Sequence, residues 1–269
     1  MKLETVLFER EDRVGIIRLN RPERMNAVIE QMYTDIQTVL NETRENPDIR
    51  VLVLTGTVWR RKQGEKQAFC AGADLKKHAE GSRTPWEQRA YINLAHETTR
   101  LIYEFPKVVI AAINGPARGA GTEMALNCDL VFMADTATLA FSETGLGTMV
   151  GGGATSHLTR LVGSMQAKAL VYSGRLIDGP EAVRLGLALE SVPVERLRET
   201  VLAYAKVLSD KAPISMAFAK ELLNRAPLRD LPTVLLAEAE AILACMNTDD
   251  WREGNASFTE KRAPVFKGR

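Results

Sequence analysis

The sequence predicts an α/β fold. Short β-branched runs alternate with helix-period stretches along most of the chain, glycine-rich turns lie where strand gives way to helix, and the C-terminal quarter is helical in pattern. Residues 1–13 are charged and strand-like. Residues 14–19 (VGIIRL) and 51–55 (VLVLT) read as strands, and Met32, Ile36, Val39 and Leu40 give residues 30–45 between them a helical face. Two further strands, 108–113 (VVIAAI) and 130–134 (LVFMA), flank a helix that contains Glu123. From Val194 onward, residues 194–209, 214–225 and 231–245 form helices broken at Pro213, Pro227 and Pro232. This segment lacks strands and is small for a core of its own, so the expected division is 1–193 and 194–269, with the second part packed on a neighbouring surface.

The 269 residues suffice for one large core or a core with a small appendage. With 35 basic against 34 acidic residues, net charge lends no support to a nucleic-acid role. Cys70, Cys128 and Cys245 are scattered without CxxC spacing, which argues against a disulfide framework or zinc site and for a reducing compartment. No apolar run approaches the roughly 20 residues of a membrane span, and the start lacks the apolar centre of a signal peptide. A soluble, cytoplasmic protein with no metal and no membrane partner is expected.

Chemistry concentrates at two glutamates. Glu123 closes the glycine-rich stretch 114–123 (NGPARGAGTE), which opens an apolar helix whose free N–H groups suit a developing oxyanion. Glu143 lies in 140–147 (AFSETGLG). A second small-residue turn, 69–75 (FCAGADL), offers further N–H donors, and two donors on one oxygen favour enolate formation, each contributing about 2.7–4 kcal/mol. Singly, each acid has a plainer reading. Glu123 could be a first-turn acid stabilised by the helix dipole, by roughly 0.3–1 kcal/mol, and Glu143 a loop or capping acid.

Together with residues 20–27 (NRPERMNA), 109–129 and 248–267, these segments stand in the order and spacing of enoyl-CoA hydratases, and the chain resembles the crotonase superfamily over nearly its whole length. The resemblance implies a spiral of β-β-α turns followed by a helical segment that builds trimers, often paired into hexamers. It implies Glu123 and Glu143 as catalytic acids and the backbone N–H groups of Ala71 and Ala120 as the oxyanion hole. Residues 20–27 and 71–74 would hold the nucleotide end of coenzyme A, with Arg24, Ala27, Ala71, Gly72, Ala73 and Asp74 as binding positions. Gly151, in the run 151–153, would make a close backbone approach beside the acyl group. Coenzyme A is part of the substrate, and no separate cofactor is implied.

The implied reaction adds water across the 2,3 double bond of an enoyl-CoA thioester, Glu123 activating water and Glu143 protonating C2, with roles open to sharing and the reverse dehydration equally served. Paired acids in a partly apolar pocket can hold different protonation states. Phe141, Ser142, Thr144 and Met149 are an unusual set around the second acid, which leaves an isomerase, or a hydratase of branched or cyclic acyl groups, as the alternative. Alanine at 120, where the family often has glycine, is harmless only if φ stays negative.

The basic segment 59–66 (WRRKQGEK) reads first as a solvated loop and second as a contribution to coenzyme A phosphates. It alone supports an RNA-binding or assembly protein on the same scaffold. His78, His96 and His157 lie far apart, so a histidine-centred triad or metal site is not expected, and His157 is assigned to the helix after 151–153.

Overall fold

The computed structural model describes residues 1–61, 64–81 and 83–269. Six strands form the main sheet in the order Val6–Glu11, Val14–Leu19, Val51–Gly56, Val108–Ile113, Leu130–Ala134 and Glu190–Val192. The first pair is antiparallel and every other neighbour is parallel. The inner strands are buried on both faces, which is why Val51–Gly56 and Val108–Ile113 are continuous apolar runs rather than alternating ones.

A second, thinner layer of strand pairing runs beside the sheet. Val28 bridges Ala73, Cys70 bridges Ala117, and Ala117–Arg118 pairs with Thr138–Ala140, which pairs in turn with Ile177–Asp178. Each turn of the chain visits the main sheet, then this layer, then a helix. Val108–Ile113, Ala117–Arg118 and the helix Ala120–Leu126 make one such turn, and the expected β-β-α spiral is the architecture observed. The helices of successive turns therefore start at the edge of the second layer, and the glycine-rich turns converge there.

The expected boundary at 193/194 does not interrupt the core. The helix Val194–Ser209 lies on the main sheet, with Leu197, Val201 and Ala205 buried in the same cluster as Ile16, Val53 and Phe132. The helix Pro213–Arg225 is tied in by one polar anchor. Lys220, 8% exposed, donates to Ile102 O at 3.3 Å, Lys107 O at 3.1 Å and Asp129 Oδ2 at 2.8 Å, while the same Asp129 oxygen accepts the Val109 N–H at 2.7 Å. Beyond it, the helix Leu231–Met246 is apolar around most of its circumference yet buries only Ala241, leaving Leu231, Leu235, Leu236, Ile242 and Leu243 exposed. No single helix among the described residues is long and apolar enough to cross a membrane.

Replacing Lys220 by methionine leaves the Asp129 carboxylate half-buried without its cation. Urea unfolding should report a loss of about 3 kcal/mol; unchanged stability would mean that the pair does not hold the C-terminal helices to the sheet.

Candidate active site

The two segments expected to bind coenzyme A are bolted together by the backbone. Asn26 is fully buried; its amide donates to Ala68 O at 2.9 Å and Thr57 O at 3.3 Å, and its carbonyl accepts the Arg21 N–H at 3.0 Å. These bonds hold Met25 and Asn26 at φ 54° and 55°, a left-handed turn that asparagine tolerates better than most residues. Met25 O then points at the 69–75 turn and accepts the Ala71 N–H at 3.0 Å. That bond corrects the assignment of Ala71 as an oxyanion donor, because its N–H is already engaged.

The free donor lies two residues on. The Val28 N–H donates to Gly72 O at 2.8 Å and the Asp74 N–H to Val28 O at 3.0 Å, while the Ala73 N–H between them has no partner among the described residues. Gly72 adopts φ +87°, and a Cβ there would lie 2.8 Å from Arg118 O, so the turn rests directly on the approach to the helix Ala120–Leu126. Gly119, at φ +48°, caps that helix, and the Ala120 N–H at its first position is likewise without a partner among the described residues. Ala120 is absent from the positive-φ residues, so its methyl adds no strain. Ala73 and Ala120 are therefore the two unpaired N–H donors on facing turns.

The acids flank this pair. Glu123 is partly buried in the first turns of the helix, and its Oε1 accepts the Gly151 N–H at 2.6 Å. Burial, with a smaller push from the Glu143 charge, raises its pKa to about 7 against the opposing Gly151 bond. Glu143 opens the short turn Glu143–Leu146 and is 7% exposed; both carboxyl oxygens are buried and unpartnered among the described residues, and burial raises its pKa too. A Cβ at Gly119 would sit 3.1 Å from Glu143 Oε1, which places this acid over the N-terminus of the Glu123 helix. A carboxylate that accepts an N–H bond favours charge, whereas one with neither oxygen paired favours the neutral acid. The two acids thus differ in their contacts: Glu123 accepts the Gly151 N–H, and the Glu143 oxygens have no partner among the described residues.

The glycine run serves the first acid directly. A Cβ at Gly152 would lie 3.0 Å from Glu123 Cβ and 3.1 Å from Thr99 Cγ2, so the loop threads between the helix that carries Glu123 and the helix Pro85–Tyr103. Asn127 holds it by donating to Gly152 O, and His157, on the helix Ala154–Ser173, contacts Asn127 Oδ1 at 3.2 Å.

Between the 20–27 and 69–75 segments, Arg21 donates to Ala27 O and pairs with Asp74 at 3.0 Å. Burial alone would raise the Asp74 pKa, but the Lys77 N–H and the Arg21 guanidinium outweigh it and hold it low. The Asp74 carboxylate thus joins the two loops. Arg24 is exposed on the turn Pro22–Arg24 and Ala27 is buried beneath it. In the basic segment, Lys62 and Gln63 lie outside the described residues. The three histidines are not brought together: His78 meets Arg83, His157 meets Asn127, and His96 stands near Glu123. No cluster suited to a metal ion occurs among the described residues. Sequence reasoning named Ala73 as a binding position and not as the unpaired donor, and it missed Arg21 and the place of His96 near Glu123. The bridge to Val28 and the Ala71 bond to Met25 O distinguish Ala73 from Ala71, and neither the Arg21–Asp74 pair nor the place of His96 leaves a local signal.

A family model described as enoyl-CoA hydratase/isomerase matches residues 9–269. The short-chain-enoyl-CoA hydratase of Clostridium acetobutylicum is 33% identical over the whole of both chains. The crotonyl-CoA hydratase of Syntrophomonas wolfei is 34% identical over 99% of each. The crystal structure of an enoyl-CoA hydratase from Bacillus anthracis superposes with a TM-score of 0.92 at 36% identity, covering 99% of this chain and all of that one. With a glycine-held acid, a second buried acid and two unpaired N–H donors on the matching spiral, the chain belongs to the enoyl-CoA hydratase/isomerase family.

Proposed function

We propose that the protein is an enoyl-CoA hydratase that adds water to a 2-enoyl-CoA thioester and gives a 3-hydroxyacyl-CoA. The observation that carries this reading is the pair of buried acids, one held by the Gly151 N–H and one without a partner among the described residues, beside two unpaired N–H groups. The thioester oxygen lies between the Ala73 and Ala120 N–H groups. Glu123 takes a proton from water as its oxygen bonds to C3, the C2–C3 π electrons move onto the thioester as an enolate, and Glu143 delivers its proton to C2. The two acids together gain one proton and lose one, so the pair is reset by moving a proton from Glu123 to Glu143. No further cofactor is called for, because coenzyme A arrives with the substrate.

An isomerase would need a proton moved along the acyl chain and no activated water, and the presence of a second buried acid, Glu143, favours hydration. Residues 20–27 and 71–74, with Arg24 exposed beside them, form the proposed coenzyme A seat. Its remote contacts would help position the reacting thioester. The exposed apolar helix Leu231–Met246, and a groove of about 780 Å³ lined by Leu161, Val183, Tyr204 and Leu223, support assembly into trimers or hexamers of this chain. A cytoplasmic location completes the proposal; nothing in it calls for a nucleic-acid or membrane partner.

Glu123→Gln and Glu143→Gln should each lower turnover of but-2-enoyl-CoA by at least about 10²-fold with folding intact, measured as loss of conjugated thioester absorbance alongside circular dichroism. Near-normal turnover in either variant would contradict the mechanism. The same Glu123 variant carries a stability signature. Folding raises the Glu123 pKa from 4.5 to about 7, so the native state is favoured by the protonated form below pH 4.5 and loses that contribution as the pH rises through 7. Glu123→Gln should therefore be more stable than wild type at pH 8, by up to roughly 3 kcal/mol, with the difference vanishing toward pH 4.5 in denaturant titrations. Light scattering at micromolar concentration should give a trimer or a multiple of it, and a stable monomer would overturn the assembly.

A further inference from the structure

We infer that His96 is a specificity residue selecting enoyl-CoA substrates that carry an uncharged oxygen, a hydroxyl or carbonyl, on the acyl carbon beyond C3. The inference rests on the hydratase reading and adds the substrate class. A Cβ placed on Gly151 would lie 3.2 Å from His96 Nε2, 3.5 Å from Glu123 Oε1 and 3.6 Å from Glu123 Oε2. The imidazole and the base thus face one small space, left open because residue 151 has no side chain. Water held by Glu123 adds to C3, so a group beside Glu123 on the Gly151 side meets what C3 carries.

His96 is exposed to solvent, and among the described residues neither ring nitrogen has a partner. Its backbone is nevertheless fixed. Gln37 donates to Thr98 Oγ1 at 2.9 Å and to Leu94 O at 3.3 Å, and Thr99 packs against Gly152, clamping the helix on both sides of residue 96. An imidazole on a fixed stretch of helix, with no protein partner of its own, is open to a ligand. A purely alkyl acyl group would strip water from the imidazole and return no hydrogen bond. A carboxylate would add a third acid beside Glu123 and Glu143, both of which burial already drives toward the neutral form. A neutral oxygen satisfies the donor without that penalty.

The test compares 4-hydroxybut-2-enoyl-CoA with pent-2-enoyl-CoA, which differ by a hydroxyl in place of a methyl, in wild type, His96→Leu and His96→Gln. Wild type should favour the hydroxylated substrate by about tenfold in kcat/KM, the value of one hydrogen bond. His96→Leu should erase or invert that ratio, and His96→Gln, which keeps a donor, should retain part of it. Equal rates in wild type, a ratio unchanged in His96→Leu, or a preference for the carboxylate-bearing pent-2-enedioyl-CoA would each overturn the assignment. Hydration of but-2-enoyl-CoA by wild type separates the two levels: without it the hydratase reading fails, and with it only the role of His96 is at stake.

Discussion

The site depends on a backbone contact that only glycine permits. A Cβ on Gly121 would lie 2.4 Å from Cys70 O and 2.7 Å from Cys70 Cβ, so the first turn of the helix Ala120–Leu126 rests on the backbone of the 69–75 turn. Arg118 N–H donates to the same Cys70 oxygen at 2.9 Å, and Cys70 and Ala117 form a parallel bridge. This contact brings together two donors that belong to different turns of the spiral. Gly72 against Arg118 O and Gly119 at positive φ repeat the requirement on either side. A side chain at any of these positions would part the turns and with them the Ala73 and Ala120 N–H groups.

From that contact the electrostatics follow. A helix N-terminus in a partly dry cleft attracts negative charge, which suits an enolate oxygen, while the same dryness discourages two ionised carboxylates side by side. One hydrogen bond tells the two acids apart. Gly151 N–H reaches Glu123, and the Glu143 oxygens have no such partner among the described residues, so two chemically identical side chains stand in different surroundings. The structure holds both raised pKa values at the expense of its own stability, and burial of the sheet, where residues such as Leu52, Ile110 and Phe132 are fully enclosed, offsets it.

Much of this was legible in the sequence because parallel strands buried on both faces leave continuous apolar runs, and because glycine clusters mark the turns that must approach one another. The strands at 14–19, 108–113 and 130–134 fall where the runs predict them, and Glu143 lies at the N-terminus of the helix that carries Glu123. What escaped depends on register and long-range packing. Ala71 and Ala73 are indistinguishable in the run FCAGADL until the bridge to Val28 and the bond to Met25 assign one N–H inward and leave the other free. Arg21 and Asp74 meet across 53 positions. The helix Val194–Ser209 shows its apolar face in the sequence, but the sheet it covers is assembled from strands far away, so a boundary drawn at the last strand divides a continuous core.

The central claim is that one oxygen is shared by the Ala73 and Ala120 N–H groups with the acids on either side of the adjoining carbons. The most direct measurement is a crystal structure with bound 3-oxobutanoyl-CoA, whose enolate resembles the intermediate. The account predicts the thioester oxygen about 2.7–3.1 Å from both nitrogens, with C3 facing Glu123 and C2 facing Glu143. A thioester oxygen bound at the Ala71 N–H, or at neither alanine, would contradict it.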